Sequence, residues 1–176
     1  MPKGVYAISV DPAELRSLLS LLGKLPKEVQ GQVRDMAQPL SRRLKMQLTM
    51  RGLEAPAPQT RLVVQSITTP RDRLVRADIG GAKRVGRKSG GESRGKGKKK
   101  VKQDAASAGV LLWGTEYGSK EGGGIDKSGR KYSDRFKVGH NSRGYWIAPT
   151  VRDFAPILAA EYQAGLIEVI KKSRLD

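Results

Sequence analysis

The chain has 176 residues, with 34 Lys and Arg against 17 Asp and Glu for a formal charge of +17, and is 38% apolar and 29% charged. That balance fits one folded domain with a modest core, calls for a polyanionic or acidic partner, and excludes a wholly disordered chain. Cysteine is absent and histidine occurs once, at His140, which excludes disulfides, thiolate metal sites, thiol nucleophiles and histidine-based metal clusters.

Val5 to Val10 alternates as a short strand and runs into Asp11-Pro12-Ala13-Glu14. Asp there caps a helix, Pro fits its first turn and Glu reaches back to the start. This opening has one Lys and too short an apolar run for a signal peptide, so Sec-type secretion is not expected. Leu15, Leu18, Leu19 and Leu22 follow on one helical face before Gly23. Leu25-Pro26-Lys27-Glu28-Val29 opens a second, longer helix, in which Val29, Val33, Met36, Leu40, Leu44 and Leu48 recur every three or four residues. Pro39 removes a backbone hydrogen bond and crowds the carbonyl four residues back, which predicts a kink or break near Asp35. Gly52, Pro56 and Pro58 close the helical region.

From Thr60 the residues become strand-forming: Leu62, Val63, Val64, Ile67, Thr68 and Thr69, then the turn Pro70-Arg71-Asp72, then Leu74, Val75, Ala77 and Ile79. The pattern predicts a β-hairpin. Residues 83–102 follow, holding Lys83, Arg84, Arg87, Lys88, Arg94, Lys96, Lys98, Lys99, Lys100 and Lys102 against one Glu, a net +9. With almost no apolar side chains to offset the entropy of ordering, this stretch is expected to be a mobile arm between two strands. Its charge is suited to double-stranded DNA or to an acidic protein face, without reading of sequence.

Ala108 to Trp113 reads as a third strand. Its apolar run, from Ala105, is broken by Gly109 and ends at Gly114 and Glu116, well short of the ~18 residues of a membrane helix, so no membrane span is expected. Residues 119–144 form a second, Gly-rich loop that Tyr132, Phe136 and Val138 anchor on a partner or in a short strand. Tyr145 to Ala148 reads as a short apolar strand or an extended strap closed by Pro149. Asp153 is then expected to cap a C-terminal helix with Pro156 in its first turn and Phe154, Leu158, Tyr162, Leu166 and Val169 on its buried face. The expected architecture is α+β: a small antiparallel sheet packed by a long N-terminal amphipathic helix and a C-terminal helix, with two long flexible loops. It forms one domain over 1–176, with a basic flexible insert at 83–102 and a Gly-rich loop at 119–144.

Chemistry-bearing motifs are sparse. Residues 90–96 have the glycine and lysine spacing of a phosphate-binding loop, but Gly97 stands where Ser or Thr would hold magnesium, and no strand and helix flank it. His140 has no recognisable nucleophile or orienting carboxylate in sequence around it, and Glu121, Asp126 and Asp134 do not reproduce a calcium-loop spacing. No catalytic residue, metal site or cofactor is therefore expected. Trp113, Tyr117, Tyr132, Phe136, Tyr145 and Trp146 are the candidate protein-interface residues, because aromatics dominate interface anchors; the same residues also suit a core.

The order of several phrases resembles the neck or tail-completion proteins of long-tailed double-stranded-DNA bacteriophages. Those phrases are the strand Val5 to Val10, the leucine helix Leu15 to Leu22, the opening Leu25 to Val29, Gln65-Ser66-Ile67, the step Leu112-Trp113-Gly114-Thr115 and the strap Tyr145-Trp146-Ile147-Ala148-Pro149. The strap departs from the family's Pro-Phe-Leu-Arg-Pro, and the basic arm is longer than the family pattern. The resemblance implies a non-catalytic virion protein at the head-to-tail junction, made in the bacterial host cytoplasm. It implies a ring, with six copies the expected count, around the DNA channel, and neighbours among head-completion and tail-terminator or tail-tube proteins. The basic arm would then touch packaged DNA non-specifically. A tail terminator capping the tail tube, or a free sequence-independent nucleic-acid-binding protein, are the alternatives.

Six copies at +17 each would carry +102, so self-association needs acidic neighbours, DNA or salt to offset repulsion. The purified protein is expected to sediment as a monomer at low salt; a stable closed ring there would contradict this.

Overall fold

The computed structural model describes residues 12–85, 106–119, 124–125, 131–132 and 136–173. These form five helices, α1 (Pro12–Lys24), α2 (Lys27–Glu54), α3 (Thr60–Val64), α4 (Ala108–Tyr117) and α5 (Ile147–Ser173), with one antiparallel pair, β1 (Gly124–Ile125) and β2 (Lys131–Tyr132), between α4 and α5. The expected α+β fold with an antiparallel sheet is therefore wrong: among the described residues the architecture is helical, and strand is confined to those two two-residue segments and two isolated bridges. The Val5 to Val10 strand lies outside the described residues.

The frame is an antiparallel pair of long helices. Arg51 faces Asp153, Arg43 faces Glu161 and Met36 lies against Gly165, so the end of α2 meets the start of α5. α2 runs unbroken through Pro39, so of the expected kink or break the break is absent. The one bond that proline removes is outweighed by packing on either side of it, where Val33, Ala37 and Ser41 are buried. Ser41 Oγ also donates to the Ala37 carbonyl at 3.1 Å and accepts the Arg76 amide at 3.0 Å, tying the 71–78 segment to the helix.

Leu48, Val63, Val64, Ile67 and Trp146 make the central core, where the second half of α2, the short α3 and the start of α5 converge. The predicted hairpin over 62–79 is replaced by α3 and an extended return, leaving only the Thr68–Asp78 bridge, with 2.9 Å bonds in both directions. The reason is visible in the burial: Thr60, Val63, Val64 and Ile67 all face inward at i, i+3, i+4 and i+7, a helical stripe hidden within β-branched residues. Ser66 holds the return by donating to the Val63 carbonyl at 2.6 Å and accepting the Gly80 amide at 2.8 Å.

α5 begins at Ile147, six residues before the expected cap at Asp153, and Pro156 lies inside it rather than in its first turn. Tyr145 and Trp146 therefore form the approach to a helix and not a strand.

Gly52 is where α2 lets this core close. A Cβ there would lie 2.5 Å from Val64 Cγ2 and 3.0 Å from the Trp146 ring. Gly52→Ala is expected to cost about 1–3 kcal/mol through overpacking, despite alanine's better helix propensity, and chemical denaturation checks it. Stabilisation by the substitution would show that the α2–Trp146 contact is looser than described.

Candidate functional site

α4 carries the two most exposed large hydrophobic side chains among the described residues, Val110 and Trp113. The residue pattern predicts a strand over Ala108 to Trp113; the segment is instead the first part of a ten-residue helix. A short apolar run has no decisive period, and the outcome here is set by packing. Ala108, Thr115 and Glu116 are buried on one side, with Leu111 and Leu112 against the central core. Val110, Trp113 and Tyr117, at i, i+3 and i+7, form a ridge on the other side. Val110 is 74% and Trp113 69% exposed, and the Trp113 and Tyr117 rings stack at 5.5 Å between centroids with 18° between planes. Two glycines make the inner side fit. A Cβ on Gly109 would lie 2.9 Å from the Gly81 carbonyl, and one on Gly114 would collide with the Phe136 ring.

The ridge is held in place by a buried carboxylate. Glu116 is 4% exposed, and its two oxygens accept the backbone amides of Trp146 at 3.2 Å and Ile147 and Ala148 at 2.8 Å. These are among the amides that a helix start leaves without intrahelical acceptors, so a side chain on α4 caps α5 across the fold. The Tyr145 amide also donates to the Glu116 carbonyl at 2.8 Å. Burial pushes the Glu116 carboxyl above the ordinary carboxylate range, and the three amide bonds act against that shift. Gly144, at φ +77°, passes so close that a Cβ would meet Glu116 Oε1.

The sequence-derived interface residues separate accordingly. Trp113 and Tyr117 lie together on the ridge, and Phe136 packs against Gly114 on the same helix. Tyr145 is half-buried and donates its hydroxyl to the Gly139 carbonyl at 2.9 Å. Trp146 is fully enclosed, so it belongs to the core and offers no docking surface. Tyr132 is described by its backbone alone, paired with Gly124.

Of the basic residues, Lys83 and Arg84 are exposed at the foot of the arm. Lys83 Nζ donates to the Gln65 carbonyl at 2.5 Å, and Arg84 bridges Ser107 in antiparallel pairing. The Val85 amide donates to the Ala106 carbonyl at 3.0 Å, so the two ends of the insert lie side by side. Arg87, Lys88, Arg94, Lys96, Lys98, Lys99, Lys100 and Lys102 lie outside the described residues, as do Glu121, Asp126 and Asp134.

No family model matches the chain, and neither a curated protein nor a solved structure matches it. Its function has to be argued from its own surface.

Met46, Met50 and Leu53 are exposed at i, i+4 and i+7 on α2, and an apolar cavity of about 390 Å³ opens between α1, α2, Leu74, Val75 and α5. Leu18, Leu44, Leu158 and Tyr162 line that cavity, and the Tyr162 hydroxyl donates to the Arg73 carbonyl at 2.6 Å. Neither gathers polar groups into a reactive constellation. Among the described residues no three His, Asp or Glu side chains group as metal ligands, and no helix is long and apolar enough to cross a membrane. His140 is exposed in the segment leading to Gly144.

Glu116 is the residue the sequence reading missed. Its signal was a lone acid at the end of the apolar run from Ala105, where a carboxylate must find donors or lose its charge.

Proposed function

We propose that this chain is a non-catalytic structural protein of a bacteriophage head-to-tail connector, a neck or tail-completion protein acting through interfaces around the DNA channel. The observation that carries an interaction role is the α4 ridge: a stacked Trp–Tyr pair and an outward Val on a helix locked in place from beneath by Glu116. Aromatics on a rigid element make anchors, since little conformational entropy remains to be lost on docking. The phage assignment rests on the order of phrases in the sequence. Two of its helices, the leucine helix and the long basic one, match α1 and α2 in position. The Leu112 to Thr115 step is helical rather than the end of a strand, which departs from that order, and within it Trp113 is the side chain that stands in solvent.

The test is a phage lacking this chain. Tailless, DNA-filled heads are expected, with the protein present in purified wild-type particles. Normal tailed particles without it, or its absence from purified virus, would end the reading.

The basic insert favours a second reading, free nucleic-acid binding. Residues 86–105 hold eight basic and two acidic side chains, so replacing them with Asn-Gly between Val85 and Ala106 lowers the charge from +17 to +11 while keeping the Arg84–Ser107 bridge. If salt-sensitive DNA retention is lost and particles still assemble, nucleic-acid binding is the better description of the arm; failed joining favours the connector.

A further inference from the structure

The ridge stands at a one-sided end of the molecule. Segments 80–85, 106–119 and 136–147 meet there, joined by the amides of Gly109 to the Gly81 carbonyl at 2.9 Å, Ala108 to Lys83 at 2.8 Å, Ser119 to Val138 at 3.0 Å and Asn141 to Tyr117 at 2.9 Å. Together they contain Lys83, Arg84, Lys137 and Arg143, all exposed, and one acidic residue, Glu116, whose charge is turned inward onto α5. The ion pairs of Asp35, Asp72, Asp78, Asp153 and Glu161 belong to α2, α5 and residues 71–78. An apolar ridge on a cationic end is thus built into the fold.

We infer that Val110, Trp113 and Tyr117 are the anchor for an acidic protein partner, seating in an apolar groove bordered by carboxylates. The inference rests on the reading of the chain as an interaction protein and adds the chemistry of its partner. Val110 extends the apolar ridge to about 10 Å along the helix, and a phosphate backbone offers nothing that an outward Val would bury against. One face of Trp113 is already covered by Tyr117, leaving less ring for a nucleobase. A second copy meeting the ridge with its own ridge would bring the same cations face to face, at +17 per chain. The chain's own residues 86–105 contain only Val101 and Ala105 as apolar side chains, too few to cover the ridge. A carboxylate-rimmed groove satisfies both halves of the surface: area from the rings, and orientation from the charge.

Replacing Trp113 with the photo-crosslinker benzoylphenylalanine tests this in the cells that make the protein, with the same group at Gln32, exposed on α2, as control. Irradiation is expected to join position 113, and not position 32, to a different, acidic protein, mapping to apolar residues flanked by Asp or Glu. With that protein purified, Trp113→Ala is expected to weaken binding about thirty-fold. Its thermal midpoint should stay within a few degrees of wild type, because the side chain is mostly outside the core. Adducts to nucleic acid, to a second copy (including its Leu18–Tyr162 cavity), to residues 120–135 of the same chain, or no adduct, would each overturn the inference. An acidic partner that is not a virion component would leave it standing and remove the connector reading; particle incorporation with adducts only to self or DNA would do the reverse.

Discussion

Trp146→Ala is expected to lower the unfolding free energy by about 3–5 kcal/mol, the largest loss from any single side-chain truncation in this core. The indole is fully enclosed and touches both long helices, resting on Gly52 of α2 while standing at the start of α5. Its removal leaves a void that Val64 and Leu48 can fill only by moving backbone, because glycine on the α2 side has no side chain to lean in. Trp146→Phe separates volume from polarity. The indole N–H is buried without an acceptor, a penalty that phenylalanine removes, so the substitution should cost only about 1–2 kcal/mol. Urea denaturation of both variants is the measurement, and a Trp146→Ala loss below about 1 kcal/mol would show that the helices do not depend on this contact.

Glu116→Ala should be nearly as damaging, at about 3 kcal/mol, since it strands the amides of Trp146, Ile147 and Ala148 at the start of α5. Gly144→Ala should reproduce much of that loss, because its Cβ would displace the carboxylate and the backbone there is left-handed at φ +77°. The pH dependence follows from burial. The native carboxyl has its pKa raised above the ordinary value of 4.5, so the native state takes up the proton more readily than the unfolded chain. The stability it contributes is fully present below that value and is lost as pH rises through the native one. The gap in unfolding free energy between wild type and Glu116→Ala should therefore narrow as pH rises above the ordinary value of 4.5. A gap that widens with pH would mean that the amide bonds outweigh desolvation and hold the carboxyl below its ordinary range.

The two long helices were legible because their apolar residues repeat with the helical period over many turns: Val29, Val33, Leu44 and Leu48 in α2, Leu158 and Tyr162 in α5. The strands were misread where the run was short. Residues 60–67 hold four β-branched side chains and 108–113 are uniformly apolar, and over so few residues propensity favours a strand while the stripe Thr60, Val63, Val64, Ile67 favours a helix. The stripe prevailed: Thr60, Val63 and Val64 are buried on the five-residue α3, and Ile67 is buried just beyond its end. The aromatics were legible as a set but not as individuals: nothing local distinguishes Trp113, standing in solvent, from Trp146, enclosed in the core.

By itself the sequence determined the excess of positive charge, its concentration in one insert, the lack of thiol chemistry, and the amphipathic stripes that made two long helices unavoidable. Those properties depend on residue counts and on neighbours three or four positions apart, which no tertiary contact can alter. Only the tertiary structure decided that α4 is a helix with an apolar ridge turned outward, that α5 starts at Ile147 and that Glu116 caps it. Each depends on groups about 30 residues or more apart in the chain, Gly81 against Gly109 and Glu116 against Trp146. Their energies enter only when the segments meet, as backbone close approach and as amides that need an acceptor once water has left.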